Sequence, residues 1–364
     1  MLETARGWLT ELRAGGDPRR FVDPSDDPAD GSRSAAEDRA LLLLALQYDH
    51  QPGDAALLRL LLDAEIEAHR HADFQGLEEE LRLAAWLVAG LRDPADVFRM
   101  WRAKHANFDT GCGLDGEHLA AAGVARTVEY LRTNDDPRAA DILADLAERD
   151  LDEEAIAGWH AALADWFPAS EADESPLTLL ERALRFAPEQ APHRLELWLA
   201  SEEPGDRTLA DLCQYSLQLG DYERAIAAAR QRIDITGDGD LVVGLHEQLG
   251  ATLIAAGRLD DAEAALMRAA TLAAARVRSA WQQRCSLEKW LDLAEAAAPR
   301  EAAWPLARRA FARADHLLTA GFGHCFTNLD RLTTCARLLG EEAANRLAGL
   351  RDAERRRIDR IGAD

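Results

Sequence analysis

The chain has 364 residues, 48% of them hydrophobic and 29% charged, with a formal net charge of −23. That length holds either one long helical array or two domains, and the acidic balance argues against nonspecific binding to nucleic acid or anionic membrane, which needs Lys and Arg set against phosphate. The start MLETARGWLTELRAGGD lacks the apolar run of a signal peptide, no stretch approaches the ~20 apolar residues that span a bilayer, and Cys112, Cys213, Cys285, Cys325 and Cys335 are scattered and odd in number. A reducing, cytoplasmic setting is therefore expected.

Alanine and leucine dominate over β-branched residues, which favours helix nearly everywhere. Residues 2–13 read as a short helix stopped by Gly15-Gly16-Asp17-Pro18, and a polar loop with Pro24 and Pro28 runs on to Ser34. Ser34 with Glu37 three residues later is a capping-box signal for the run AAEDRALLLLALQYD. Leucines 57, 58, 61 and 62 recur at helical spacing in a helix from Asp54 to about His69, and another helix is expected over 75–90. Asp93-Pro94 precedes a helix with Val97, Phe98 and Trp101.

The segment WRAKHANFDTGCGLDGEHL, Trp101 to Leu119, is the least ordinary local sequence. It gathers Arg102, His105, Asp109, Cys112, Asp115, Glu117 and His118 around a glycine-rich turn. Cys112 with His105 or His118 has the composition of a thiol nucleophile and its base, while Asp109, Asp115, Glu117 and His118 have that of a divalent metal set. The plainer reading is an interhelix turn, with glycines making the bends and Asp109 and Asp115 capping nearby amides; it carries more weight.

Helices are expected at 116–132, 137–149, 152–166, 176–187 and 192–200, with Pro137, Pro168, Pro176 and Pro188 at suspected boundaries. Between Asp141 and Ser175 eleven carboxylates face a single arginine, as on a solvated face. Beyond residue 274, segments 275–297 and 300–319 would form a hairpin, and 328–338 and 341–358 would close the array with a charged cap. No segment reads convincingly as a strand; Leu241-Val242-Val243 continues into helical sequence. His316, His324, Cys325 and Cys335 are not paired as in structural zinc sites, and His246-Glu247 is followed by Gly250 where a zinc-protease helix would need a second histidine. Most of the nine tryptophans are expected to pack between helices.

The stretches LCQYSLQLGDYERAIAAARQRI and LHEQLGATLIAAGRLDDAEAALMRAA, within Arg207 to Ala274, share a pattern. A shift of 37 aligns Leu212, Gly220, Tyr222 and Ala225 with Leu249, Gly257, Leu259 and Ala262, while Ile226 falls on Glu263 and does not match. This resembles the tetratricopeptide repeat: Leu249, Gly250, Gly257, Leu259, Ala262 and Ala269 stand at its large, small and turn positions, and Cys213 and Arg232 depart from it in the first copy. The spacing exceeds the usual repeat and implies a longer loop around Thr236-Gly237-Asp238-Gly239. The resemblance implies an all-α, right-handed superhelix of antiparallel hairpins, with the first helix of each hairpin lining an inner surface. Carried onto these copies, it places Arg207, Gln214, Gln218, Glu247 and Ala251 near a groove.

Residues 1–34 are thus read as a short helix and loop, 35–200 as a divergent helical region, and 201–364 as hairpins with a capping helix. The function implied is binding of a protein or peptide, with basic groups more plausible than acidic ones, in a regulatory, chaperone-like or immunity role. No cofactor is implied. The alternatives are a ligand-binding protein or a metal- or cysteine-dependent enzyme built on Asp109–His118, and a self-associating scaffold.

Overall fold

A computed structural model describes residues 2–23, 33–73, 75–237 and 241–361. Among them there is no strand, and no helix is long and apolar enough to cross a membrane. The chain divides into two compact units, Met1–Leu179 and Leu180–Asp364.

In the first unit the helices are α1 (Leu2–Arg13), α2 (Ala35–Asp49), α3 (Ala55–His71), α4 (Glu79–Ala89), α5 (Val97–Lys104), α6 (Phe108–Gly113), α7 (Val124–Arg132), α8 (Ala139–Glu148) and α9 (Glu153–Trp166). The Ser34 cap forms as its sequence requires: Ser34 Oγ accepts from Glu37 N at 3.2 Å, and Ser34 N donates to Glu37 Oε2 at 2.8 Å. Because α2 is apolar on nearly every side, it is buried almost throughout and packs against α1 and α4. Beneath it, Arg39 and Glu65 pair at 2.5 Å with both side chains under a tenth exposed, and Arg39 also donates to the Phe21 carbonyl. Gln47 and Tyr48 at the end of α2 donate to Glu174, more than 120 positions along the chain.

Four local outcomes differ from the periodicity. The helix expected from residue 75 starts at Glu79, and the one expected over 116–132 is two pieces, a 3-10 turn Gly116–Ala120 and α7. The break falls at Gly123, whose φ is +102°, and Glu153 Oε2 lies 3.2 Å from where a Cβ would stand. The glycine-rich turn contains α6, which starts because Asn107 accepts from Thr110 N at 2.9 Å while Thr110 Oγ1 accepts from Asn107 N. The segment expected to be helical from 275 begins five residues later, where Ser279 and Gln282 form another capping box. The loop carrying Pro24 and Pro28, and Asp238-Gly239, lie outside the described residues.

The second unit contains α10 (Pro176–Phe186), which straddles the division, then α11 (Ala191–Ser201), α12 (Asp206–Gln218), α13 (Tyr222–Thr236), α14 (Val242–Ala255), α15 (Leu259–Ala273), α16 (Ala280–Ala297), α17 (Trp304–Thr319), α18 (Phe326–Leu339) and α19 (Ala343–Ile361). The most extensive packing in this unit joins α12 to α13, α14 to α15, α16 to α17 and α18 to α19, a run of antiparallel hairpins. At the end of α12, Gly220 N donates to Leu217 O and Asp221 N to Ser216 O; at the end of α14, Gly257 N donates to Ile254 O and Arg258 N to Leu253 O. Both glycines sit at φ near +70°, so the two copies end in the same left-handed cap. Gly250 has the other role expected of a small residue: a Cβ there would stand 2.7 Å from Leu266 Cδ2 on α15.

Two layers follow from the cross-hairpin contacts. Among first helices, Cys213 Sγ meets Thr252 Oγ1 39 positions on, Glu247 accepts from Ser286 Oγ across another 39, and Asn328 bonds Glu288 across 40. Second helices pair through Glu223 and Arg258, Glu263 and Arg309, and Asp315 and Arg346. Arg232 occupies a position filled by a small residue in the other copy because it bridges Asp206, at 2.9 Å, and Gln248, at 2.7 Å, linking α12, α13 and α14.

Candidate functional site

The hairpins leave a cavity of about 350 Å3 among α14, α15, α16 and α17. Its walls are apolar where Leu266 and Ala270 of α15 face Trp290 of α16. Glu247 forms its polar end. That carboxylate is 8% exposed and lies 3.1 Å from Arg278 Nη2, and it also accepts from Ser286 Oγ. Removing such a pair from water is costly unless remaining donors are satisfied. Arg278 meets that condition in part, donating to Ser286 Oγ at 2.6 Å and to the Gln282 carbonyl at 2.9 Å.

The connection from α15 to α16 shapes one side. Arg276 and Arg278 both line the cavity, while Val277 between them is fully exposed, as alternation along an extended segment requires. Arg276 Nη1 donates to Leu272 O, anchoring this connection to the last turn of α15. His316 and Leu317 of α17 complete the lining, and His316 is exposed to solvent. Outside the cavity, Trp281 is 70% and Leu241 69% exposed, and Ile235 at the end of α13 is also exposed. Antiparallel alternation puts the α13–α14 and α15–α16 connections at the same end of their hairpins, so these apolar side chains belong to one end of the array.

Of the groove residues carried over from the repeat resemblance, Arg207, Gln214 and Gln218 are exposed on α12 and Ala251 is half-buried on α14. Glu247 is separated from them in character, since it is buried and committed to Arg278 and Ser286. Arg276, Arg278, Ser286, Trp290 and His316 have no part in the groove that the resemblance implies. The sequence carried no signal for Ser286, which stands 39 positions beyond Glu247, as Thr252 does beyond Cys213, and not at the 37-residue shift that aligns the two copies.

The Trp101–Leu119 segment is organised around buried Lys104, whose ammonium donates to Gly111 O at 2.8 Å and Leu114 O at 2.7 Å, closing the end of α6. Burial, aided by Arg149, lowers its pKa. Arg102 is occupied with Asp63 and Glu67 on α3, and exposed His105 lies over Trp101 with ring centroids 3.9 Å apart. Asp115 accepts from Trp159 Nε1 at 3.0 Å and its carbonyl meets His118 Nδ1 at 3.1 Å. The Arg149 guanidinium crosses Gly116 so closely that a Cβ there would lie 2.3 Å from Nη1 and the arginine would have to move aside. Asp109 and Glu117 are half-buried and Cys112 is exposed.

His118 is 3% exposed, its Nε2 has no hydrogen-bond partner, and burial holds its pKa down to about 4. The cavity beside it measures about 10 Å3, the room of one water, and Asp109, Cys112, Asp115 and Glu117 do not line it. The structure therefore joins Asp115 to His118 and Trp159 without bringing Cys112 to either histidine in a common cavity. Among the described residues no group of three or more His, Cys, Asp or Glu side chains could hold a metal ion. Farther along the chain, His324 Nε2 meets Leu318 O, and burial pushes the Cys335 thiol up to about 11.

No family model, no curated protein and no solved structure matches the chain.

Proposed function

We propose that the chain is a helical-repeat scaffold that binds a protein or peptide, with the hairpins of its second unit winding as a right-handed, tetratricopeptide-like superhelix. The observation that carries this reading is the set Ile235, Leu241, Val277 and Trp281, large apolar side chains exposed at consecutive hairpin connections. Exposed apolar groups gathered at one end mark an interaction surface more than isolated ones do. The glycine caps shared by α12 and α14, and the close approach at Gly250, support the repeat character.

The partner would present apolar side chains to this end, and the chain's net charge of −23 favours one that also carries basic groups. A second copy of the chain is the competing occupant, since the same apolar groups would serve self-association. The test is capture of partners by the immobilised chain and by a Val277→Asp, Trp281→Asp variant, with sedimentation of both. A specific partner lost in the variant supports the proposal. Unchanged capture, or loss only in Asp109→Ala and His118→Ala, contradicts it, and a dimer dissolved by the variant assigns the surface to self-association.

A further inference from the structure

We propose that the cavity among α14, α15, α16 and α17 binds a small uncharged molecule, an aromatic or branched hydrocarbon body that carries one hydroxyl. The inference stands apart from any macromolecular partner at Val277 and Trp281. A volume of about 350 Å3 lies in the range of small-molecule sites, ~300–1,000 Å3. Leu266, Ala270 and Trp290 offer an apolar wall, with Trp290 only 4% exposed, and Glu247, Arg278 and Ser286 make the polar end. That division suits a ligand with an apolar body and one polar tip.

The tip must be a donor. Both bonds that Glu247 accepts, from Arg278 Nη2 at 3.1 Å and from Ser286 Oγ, fall on Oε1. Oε2 meets no donor among the described residues, yet the buried side-chain atoms without a partner there are His118 Nε2, Ser216 Oγ and His246 Nδ1. Oε2 therefore reaches open space, and for a residue 8% exposed that lines the cavity, that space is the cavity. A hydroxyl arriving there makes a hydrogen bond to a charged acceptor, stronger than one between neutral groups.

The tip carries no charge because the ion pair at this end is already complete. Glu247 and Arg278 neutralise each other, and Arg276 is engaged as well, with Leu272 O among its partners. An ammonium would crowd Arg278 and a carboxylate would crowd Glu247, and each would give up its water to enter a largely apolar space. A hydroxyl gives up far less. Arg278 also donates to Ser286 Oγ and to the Gln282 carbonyl, which holds the polar end in place before a ligand arrives and lowers the entropic cost of binding.

The test uses the full chain and probes that share a phenyl arm and differ at the tip: phenethyl alcohol, ethylbenzene, phenylacetate and phenethylamine. Binding is read from the indole N–H resonance of Trp290, assigned by its disappearance in Trp290→Phe. The alcohol is expected to move that resonance and to bind about tenfold more tightly than ethylbenzene, the difference a hydrogen bond to a charged group supplies, and more tightly than the acid or the amine. Glu247→Gln, which keeps the shape and removes the charge, should weaken the alcohol about fivefold and leave ethylbenzene unchanged. The comparison among probes needs no change at Glu247, so it decides the matter even where Glu247→Gln folds poorly. Ala270→Phe should abolish binding of the alcohol by filling the cavity. Ethylbenzene, acid or amine binding as tightly as the alcohol, no movement of Trp290 by the alcohol, or alcohol affinity unchanged in Ala270→Phe would each overturn the proposal.

Discussion

The first unit closes on itself through contacts remote in sequence, whereas the second repeats contacts between neighbours. In the first, Gln47 and Tyr48 reach Glu174, and Arg39 is buried against Glu65. In the second, the first-helix contacts recur at separations of 39, 39 and 40. One unit is thus specified by a few buried polar contacts that need the whole unit in place. The other is specified by a local rule of small residues and glycine caps, and its stability is approximately a sum over hairpins and their interfaces.

The largest expected effect lies in the first unit. Glu65→Ala strands the Arg39 guanidinium in a buried site and should cost about 3–5 kcal/mol in chemical denaturation, the loss typical of breaking one side of a buried pair. If it costs under ~1 kcal/mol, the buried pair does not organise this unit. Next is an acid effect from His118. Its folded pKa of about 4 lies below the ordinary histidine value of 6.5, so the unfolded state takes up the proton first, and stability falls as pH drops from 6.5 to 4. The loss should reach ~3 kcal/mol, and His118→Gln should flatten this part of the stability–pH curve.

Smaller effects sharpen the picture of the second unit. Gly250→Ala places a methyl 2.7 Å from Leu266 Cδ2, and the overpacking, ~1–3 kcal/mol, should exceed the helix-propensity gain. Gly244→Ala in the same helix meets nothing within 4 Å and should stabilise by about 0.5–1 kcal/mol. Equal effects at both glycines in thermal unfolding would remove the close-approach explanation. Arg331→Ala deletes pairs to Asp292 at 2.7 Å and Glu295 at 2.6 Å, but all three side chains are about a third exposed, so less than ~1 kcal/mol should be lost.

Features that depend on residues close in sequence were legible from the sequence. Ser34 and Glu37 announced the start of α2, and Gly220 and Gly257 announced the ends of α12 and α14. The run Leu241-Val242-Val243 leads into helix, as its continuation required. Periodicity carried past Gly123 because apolar spacing does not register the positive φ that breaks the helix there. It also passed over α6, whose nucleus is the reciprocal bonding of Asn107 and Thr110 and not an apolar stripe. The cavity was hidden for a different reason. Glu247, Arg278 and Ser286 come from three places in the chain and meet only when α14 and α16 stack, so residue type at any one of them says little.

Amide hydrogen exchange along the intact chain tests the central distinction most directly. Stacked hairpins with neighbour-only contacts should give graded protection in the second unit, slowest in α14 to α17 and fastest in terminal α19, while α2, α3 and α4 of the first unit exchange together. A single common exchange rate for the core amides of α12 to α19 would contradict the account, because it would mean that the hairpins open as one cooperative body.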